Sequence, residues 1–203
     1  MKLQGWNLTI GIGLILLICD ALLLGVVGSD EEGVRILVRL TARTAAAIFS
    51  VVFATSSLWR LWPNAVTRWL LTNRRYLGVA FAAAHGLHLG TLVLLSMAQG
   101  PKFLDETSAV TMIGGGAVSA LIAAMPLTSS NRAQAALGKR WRSLHRAGGY
   151  GAWSIYLMAY VIGFTSLSIY TLFGVLLVGA MGLRIAAWRR SPATAARVPA
   201  ETT

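Results

Sequence analysis

The sequence predicts an all-α protein: a polytopic bundle of six transmembrane helices with both termini cytoplasmic. Three observations carry that expectation. The 203 residues are 56% hydrophobic and 12% charged, against about 25% charged in soluble domains, and the mean hydropathy is +0.64. The apolar residues fall into stretches of about 20, the length needed to cross a hydrocarbon core of about 30 Å. Finally, 18 Lys and Arg against 7 Asp and Glu leave a net charge of +11. The basic residues stand between apolar runs and not on a hydrated surface, so the partner they imply is the lipid bilayer and not nucleic acid.

The six spans run about Leu8–Val27, Leu40–Leu58, Tyr76–Ala98, Ser108–Leu127, Leu144–Phe164 and Ile169–Trp188. All read as helices, because a spanning segment must satisfy its backbone internally. The first apolar run is longer than the 7–15 residues usual in a signal peptide and is read as a retained helix. Residues 1–190 form one domain, and Ser191–Thr203, rich in Ala, Pro and Thr, reads as a disordered cytoplasmic tail. Orientation follows from counting Lys and Arg by side. Fourteen, among them Arg60, Arg74, Arg75, Arg140, Arg142 and Arg184, lie on or near one side. Arg35, Arg39, Arg43 and Lys102 lie toward the other, together with Asp30, Glu31, Glu32, Asp105 and Glu106. The richer side, which also carries six of the seven tryptophans, is read as cytoplasmic.

Polar residues at membrane depth are the functional candidates. Asp20 and Arg43 fall at similar depth on the first two helices, so they either pair or go their own ways, Arg43 snorkelling outward. His85 and His88, three apart on helix three, share a face roughly 15 and 20 Å into the membrane. His145 opens helix five beside Arg142 and is far shallower. The glycines of helix four (Gly114, Gly115, Gly116) and helix five (Gly148, Gly149, Gly151) favour close packing, or else make room for a flat cofactor. The lone Cys19 excludes a disulfide framework and Cys-rich metal sites. Asp20 is the only carboxylate deep in a span, which argues against a paired-carboxylate site. No Gly-rich strand-to-helix loop marks a nucleotide fold. A neutral-imidazole site remains, and heme b suits it best.

Arg74-Arg75-Tyr76-Leu77-Gly78 followed by His88, then Leu127-Thr128-Ser129, Leu137-Gly138-Lys139-Arg140-Trp141 and Leu144-His145-Arg146, resembles the signature of the ferric-reductase-like transmembrane family. Ala42-Arg43-Thr44-Ala45 is similar to its shorter motif on helix two. Within that family the resemblance is to the heme-bearing membrane subunits of bacterial periplasmic methionine-sulfoxide reductases, and it covers about residues 39–160. It implies a multi-pass protein of the bacterial inner membrane that holds heme b between helices three and five. Electrons would pass from a cytoplasmic or quinol donor toward the outer face.

By the same resemblance His88 and His145 match family histidines, while the further helix-five histidine is replaced by Met158. Three arrangements stay open: His88 with Met158, His85 with His145 across a tilted heme, or a heme bound from one side or absent. Arg74, Arg75, Arg140 and Arg142 would hold heme propionates, or the phosphate of FMN, at the cytoplasmic rim; setting topology is their simpler use. A quinone is the other cofactor expected there. The chain has no flavin or nicotinamide domain of its own, so a separate redox partner protein would supply electrons. It would then be a subunit of a membrane oxidoreductase. The rival expectation is a heme-free bundle that acts as a binding or assembly partner. A transporter is not favoured, for no repeat halves or broken helices are visible.

Overall fold

A computed structural model describes residues 3–161 and 169–190, and every described element is helical. The helices are α1 (Trp6–Val27), α2 (Glu31–Leu61), α3 (Ala65–Gln99), α4 (Lys102–Glu106), α5 (Ala109–Leu127), α6 (Asn131–Leu137), α7 (Lys139–Val161) and α8 (Ile169–Arg189). Five of them are long and apolar enough to cross a membrane: α1, α2, α3, α5 and the Thr171–Arg189 part of α8. The chain is therefore a helical protein of membrane type. Over its described residues α7 is not among the five, because Lys139, Arg140, Arg142, His145 and Arg146 crowd its first two turns. The end of the expected fifth span at Phe164, the short link after it and the tail from Ser191 lie outside the described residues.

Local sequence sets the helix limits. Asp30 caps α2 by accepting from the Gly33 N–H at 3.3 Å. Asn64 caps α3 through a reciprocal box in which Thr67 N–H donates to Asn64 Oδ1 and the Asn64 N–H donates to Thr67 Oγ1, both at 3.0 Å. Ser108 and Ser130 cap α5 and α6 more simply, their hydroxyls accepting from the Thr111 and Ala133 N–H groups. At the α1–α2 turn, a Cβ on Gly33 would stand 2.5 Å from the carbonyls of Val27 and Gly28, so only glycine closes it.

Helices α2 and α3 run well past the expected spans Leu40–Leu58 and Tyr76–Ala98. Their 31 and 35 residues make rods of about 46 and 52 Å, longer than a bilayer core. Glu31, Glu32, Arg68, Arg74 and Arg75 are thus helical, not loop residues. Their rods give the bundle a basic end and an acidic end. At the acidic end Arg35 bridges Glu31 at 2.8 Å and Glu106 at 2.6 Å, and Gln99 donates to both carboxylates. The Arg35 bond, then that of Gln99, holds the Glu106 carboxyl below the usual glutamate value.

The core is built by α2, α3, α5, α7 and α8. Ala45, Ala46, Phe49, Phe53, Phe81, Ala84, Ile122, Ala152, Tyr156, Leu177 and Ala180 form one buried cluster. Helix α1 lies outside it, packed chiefly on α3; Asn73 Oδ1 accepts from the Gly5 N–H at 2.9 Å and the Thr9 hydroxyl donates to the Tyr76 carbonyl at 2.9 Å. Asp20 and Arg43 form no ion pair; among the described residues both ion pairs centre on Arg35. The glycines divide. A Cβ on Gly148 would meet Met125 Sδ at 2.7 Å and one on Gly151 would meet Val118 at 3.3 Å, so these two let α7 approach α5. Gly114, Gly115, Gly116 and Gly149 face open space.

Candidate functional site

Helices α3 and α7 both run from the basic end toward the acidic end, and between them they carry all three histidines. His85 is buried and has both ring nitrogens engaged, Nδ1 with Tyr156 Oη at 2.9 Å and Nε2 with Ser119 Oγ at 3.0 Å. The Ser119 hydroxyl donates its one proton to the Gly115 carbonyl at 2.7 Å. Nε2–H of His85 must then donate to Ser119, and Tyr156 O–H donates to Nδ1. A ring so committed joins α3, α5 and α7 and has no lone pair left for a metal.

His88 differs. Its Nδ1 lies 3.1 Å from Thr41 Oγ1 on α2, whose own hydroxyl is within reach of the Leu37 and Val38 carbonyls. Among the described residues its Nε2 makes no hydrogen bond. An anchored Nδ1–H with an open Nε2 is the tautomer a ligating imidazole needs. Its ring centroid stands 6.0 Å from that of His85.

His145 is half-buried at the basic end. Its ring lies 4.2 Å from that of Trp141, and its Nε2 is 3.2 Å from Thr128 Oγ1. The Thr128 hydroxyl donates to the Ala124 carbonyl at 2.8 Å, so Nε2–H of His145 is the donor and the lone pair sits on Nδ1. The signature residues Thr128, Trp141 and His145 therefore form one unit, completed by the Trp141 indole N–H donating to the Thr128 carbonyl at 3.0 Å.

Levels along the bundle decide which histidines can share a ligand. The Tyr156–His85 bond puts those two residues at one level, and Tyr156 is 11 residues beyond His145, or about 16 Å along the helix. His88 is another turn on, about 21 Å from the level of His145. Two imidazole nitrogens on one iron are only about 4 Å apart, given metal–nitrogen bonds of about 2 Å. The structure brings neither His88 nor His85 beside His145. Met158 lies near the level of His88, but about 200° around α7 from Tyr156, where it is 39% exposed, so His88 and Met158 are not brought together either.

The space for a ligand is at the basic end instead. A cleft of about 580 Å³ is lined by Phe49, Phe53, Phe81, Met125, Trp141, His145 and the guanidinium groups of Arg74, Arg75, Arg142, Arg146 and Arg184, among others. That volume is typical of a cofactor site. Arg74 and Arg184 lie close enough to repel each other, and Arg74 also repels a charged His145. Among the described residues no carboxylate lines the cleft. Of the rim arginines expected from the sequence, Arg74, Arg75 and Arg142 line it and Arg140 does not, while Arg146 and Arg184 join unforeseen. Arg184 was legible as a charge within the last apolar run.

One imidazole, an aromatic floor and unneutralised guanidinium groups suit a flat anionic ligand held from one side. They do not make a bis-histidine site. Among the described residues no group of three or more His, Cys, Asp or Glu converges to hold a bare metal ion. The chain matches no family model, no curated protein and no solved structure.

Proposed function

We propose that this chain is a heme b-binding electron-transfer protein of the bacterial inner membrane, with α7 as the fifth of six spans and both termini on the cytoplasmic, basic side. The observation that carries the reading is the basic-end cleft, where His145 and five arginines, with no carboxylate among the described residues, meet an aromatic floor. When bound there, heme would supply a one-electron ferric/ferrous couple. Trp141 and Thr128 fix the plane and tautomer of His145, leaving its Nδ1 lone pair free to hold the iron. Arg74, Arg75 and Arg142 would bind the carboxylates of the propionates through charge-assisted bonds. Phe49, Phe53 and Phe81 keep water from the site's inner wall. Electrons would come from a separate reductase or from a quinol.

Protein purified from heme-sufficient cells should be coloured, with sharp α bands on dithionite reduction and about one heme per chain by pyridine hemochrome. His145→Ala should remove the heme, whereas His88→Ala and Met158→Leu should retain it. A colourless preparation, or an unchanged heme content in His145→Ala, overturns the assignment. The saturated hydrogen bonding of His85 and the outward turn of Met158 favour the second reading, a heme-free bundle that assembles with another membrane protein. That reading predicts a colourless protein whose His145→Ala variant still co-purifies with its partner.

A further inference from the structure

A second, smaller cavity lies on the other flank of the basic end, between α2, α7 and α8. It measures about 310 Å³ and is lined by Ser56, Ser57, Arg60, Tyr150, Arg184 and Trp188, among others. The hydrogen bonds of its two guanidinium groups go to neutral oxygens: Arg60 donates to the Ala187 carbonyl at 3.2 Å, and Arg184 donates to the Phe53 carbonyl at 3.1 Å and to Tyr150 Oη at 3.4 Å. The Arg184 guanidinium also lies over the Phe53 and Tyr150 rings, 4.3 and 5.3 Å from their centroids. Its buried Nε has no hydrogen-bond partner among the described residues. The hydroxyls of Ser56 and Ser57 make no hydrogen bond among the described residues. Among the described residues no carboxylate lines the cavity.

Two guanidinium groups supply ten N–H donors, and most of them are unused here. Charge held beside apolar walls without a counter-ion is costly, which makes the cavity selective for an anion. The tetrahedral oxygens of a phosphate match two planar donor forks and two hydroxyls. The cavity also has an apolar margin on its bilayer side: Trp188 is 74% and Ile185 45% exposed there, as an interfacial belt residue and an acyl-chain contact would be.

We propose that this cavity binds the phosphate of an anionic phospholipid, held by Arg60 and Arg184 with Ser57, its acyl chain running along Ile185. A soluble phosphate compound offers the same chemistry. The proposal does not depend on heme.

The test is thermal unfolding of delipidated protein in neutral detergent, with added phosphatidylglycerol, phosphatidylcholine or inorganic phosphate. Phosphatidylglycerol should raise the midpoint by several degrees more than phosphatidylcholine does. Arg60→Gln should lose most of that difference, whereas Arg132→Gln, an equal change of net charge on α6, should keep it. Arg60→Lys, which keeps the charge but not the fork, should fall between and still decides the matter if the glutamine variant does not fold. Protection by inorganic phosphate alone, equally sensitive to Arg60, supports the phosphate site and assigns it to a soluble compound. Equal shifts with both lipids, a full shift in Arg60→Gln, or an equal loss in Arg132→Gln overturns the proposal.

Discussion

Replacing Tyr156 by phenylalanine removes one oxygen from the bundle and leaves its packing intact, so the outcome reads the His85 network directly. The lost bond is the 2.9 Å contact between Tyr156 Oη and His85 Nδ1, in a side chain that is 5% exposed. Interhelical bonds of this kind are worth about 0.6 kcal/mol on average in a membrane protein and at most about 1.7. His85 Nδ1 is then left without a donor, and an orphaned buried acceptor costs about 1–3 kcal/mol. The ring cannot turn over to recover, because its Nε2–H is committed to Ser119, whose own proton goes to Gly115. The expected loss is about 1–2 kcal/mol. For a chain of this size that is a fall of about 2–8 °C in Tm. The assay is thermal unfolding in detergent, with heme content measured on the same samples. Tyr156→Phe should lower Tm and leave heme per chain unchanged, because the network is about 16 Å from His145 along α7. An unchanged Tm together with lost heme would refute the assignment of His85 as a structural link.

Three further outcomes follow from local geometry. Gly33→Ala forces a Cβ to within 2.5 Å of two backbone carbonyls; overpacking of that kind costs about 1–3 kcal/mol, and the variant should unfold earlier than Gly149→Ala, which meets open space. Stability should fall in acid as Glu106 protonates: its folded value lies below the unfolded one, so its contribution is present above the unfolded value and is lost as pH drops through the folded one. Glu106→Gln should flatten that acid limb in a pH series of unfolding midpoints. Thr128→Val removes the acceptor of His145 Nε2–H; heme content and the reduced spectrum should change in it, while the parallel change Thr72→Val, on the exposed outer side of α3, should leave both alone.

Much of the fold is written in hydropathy, and the misreadings have one cause. Apolar runs mark where a helix is buried in lipid, not where its backbone hydrogen bonding stops. Helix α3 therefore continues through Arg68, Arg74 and Arg75 to its cap at Asn64, and α2 reaches back to Glu31. The short α4 and α6 were invisible because neither carries an apolar run. Helix α7 is the mirror case. Its cluster of basic residues lowers its hydropathy, yet Ala152, Tyr156 and Tyr160 bury one of its faces in the core.

The site was legible along the helix axis and not around it. Residue counting alone gives the level of Met158 beside His88 and the shallowness of His145. Whether a side chain faces its neighbour depends on helix rotation, which the packing of Gly148 and Gly151 against Met125 and Val118 fixes. Those contacts turn Tyr156 toward His85 and so turn Met158 outward. The small hydroxyl residues Thr41, Ser119 and Thr128 were illegible for a related reason: each matters only because a histidine from another helix, or another turn, arrives beside it. Their own protons settle the chemistry, since a hydroxyl already donating to a carbonyl can only accept from an imidazole. For His85 that rule uses up the ring, and for His145 it frees Nδ1. Three histidines of equal standing in the sequence thus part into a structural link, an anchored ring with an open nitrogen at His88, and one imidazole that lines a cleft of converging positive charge.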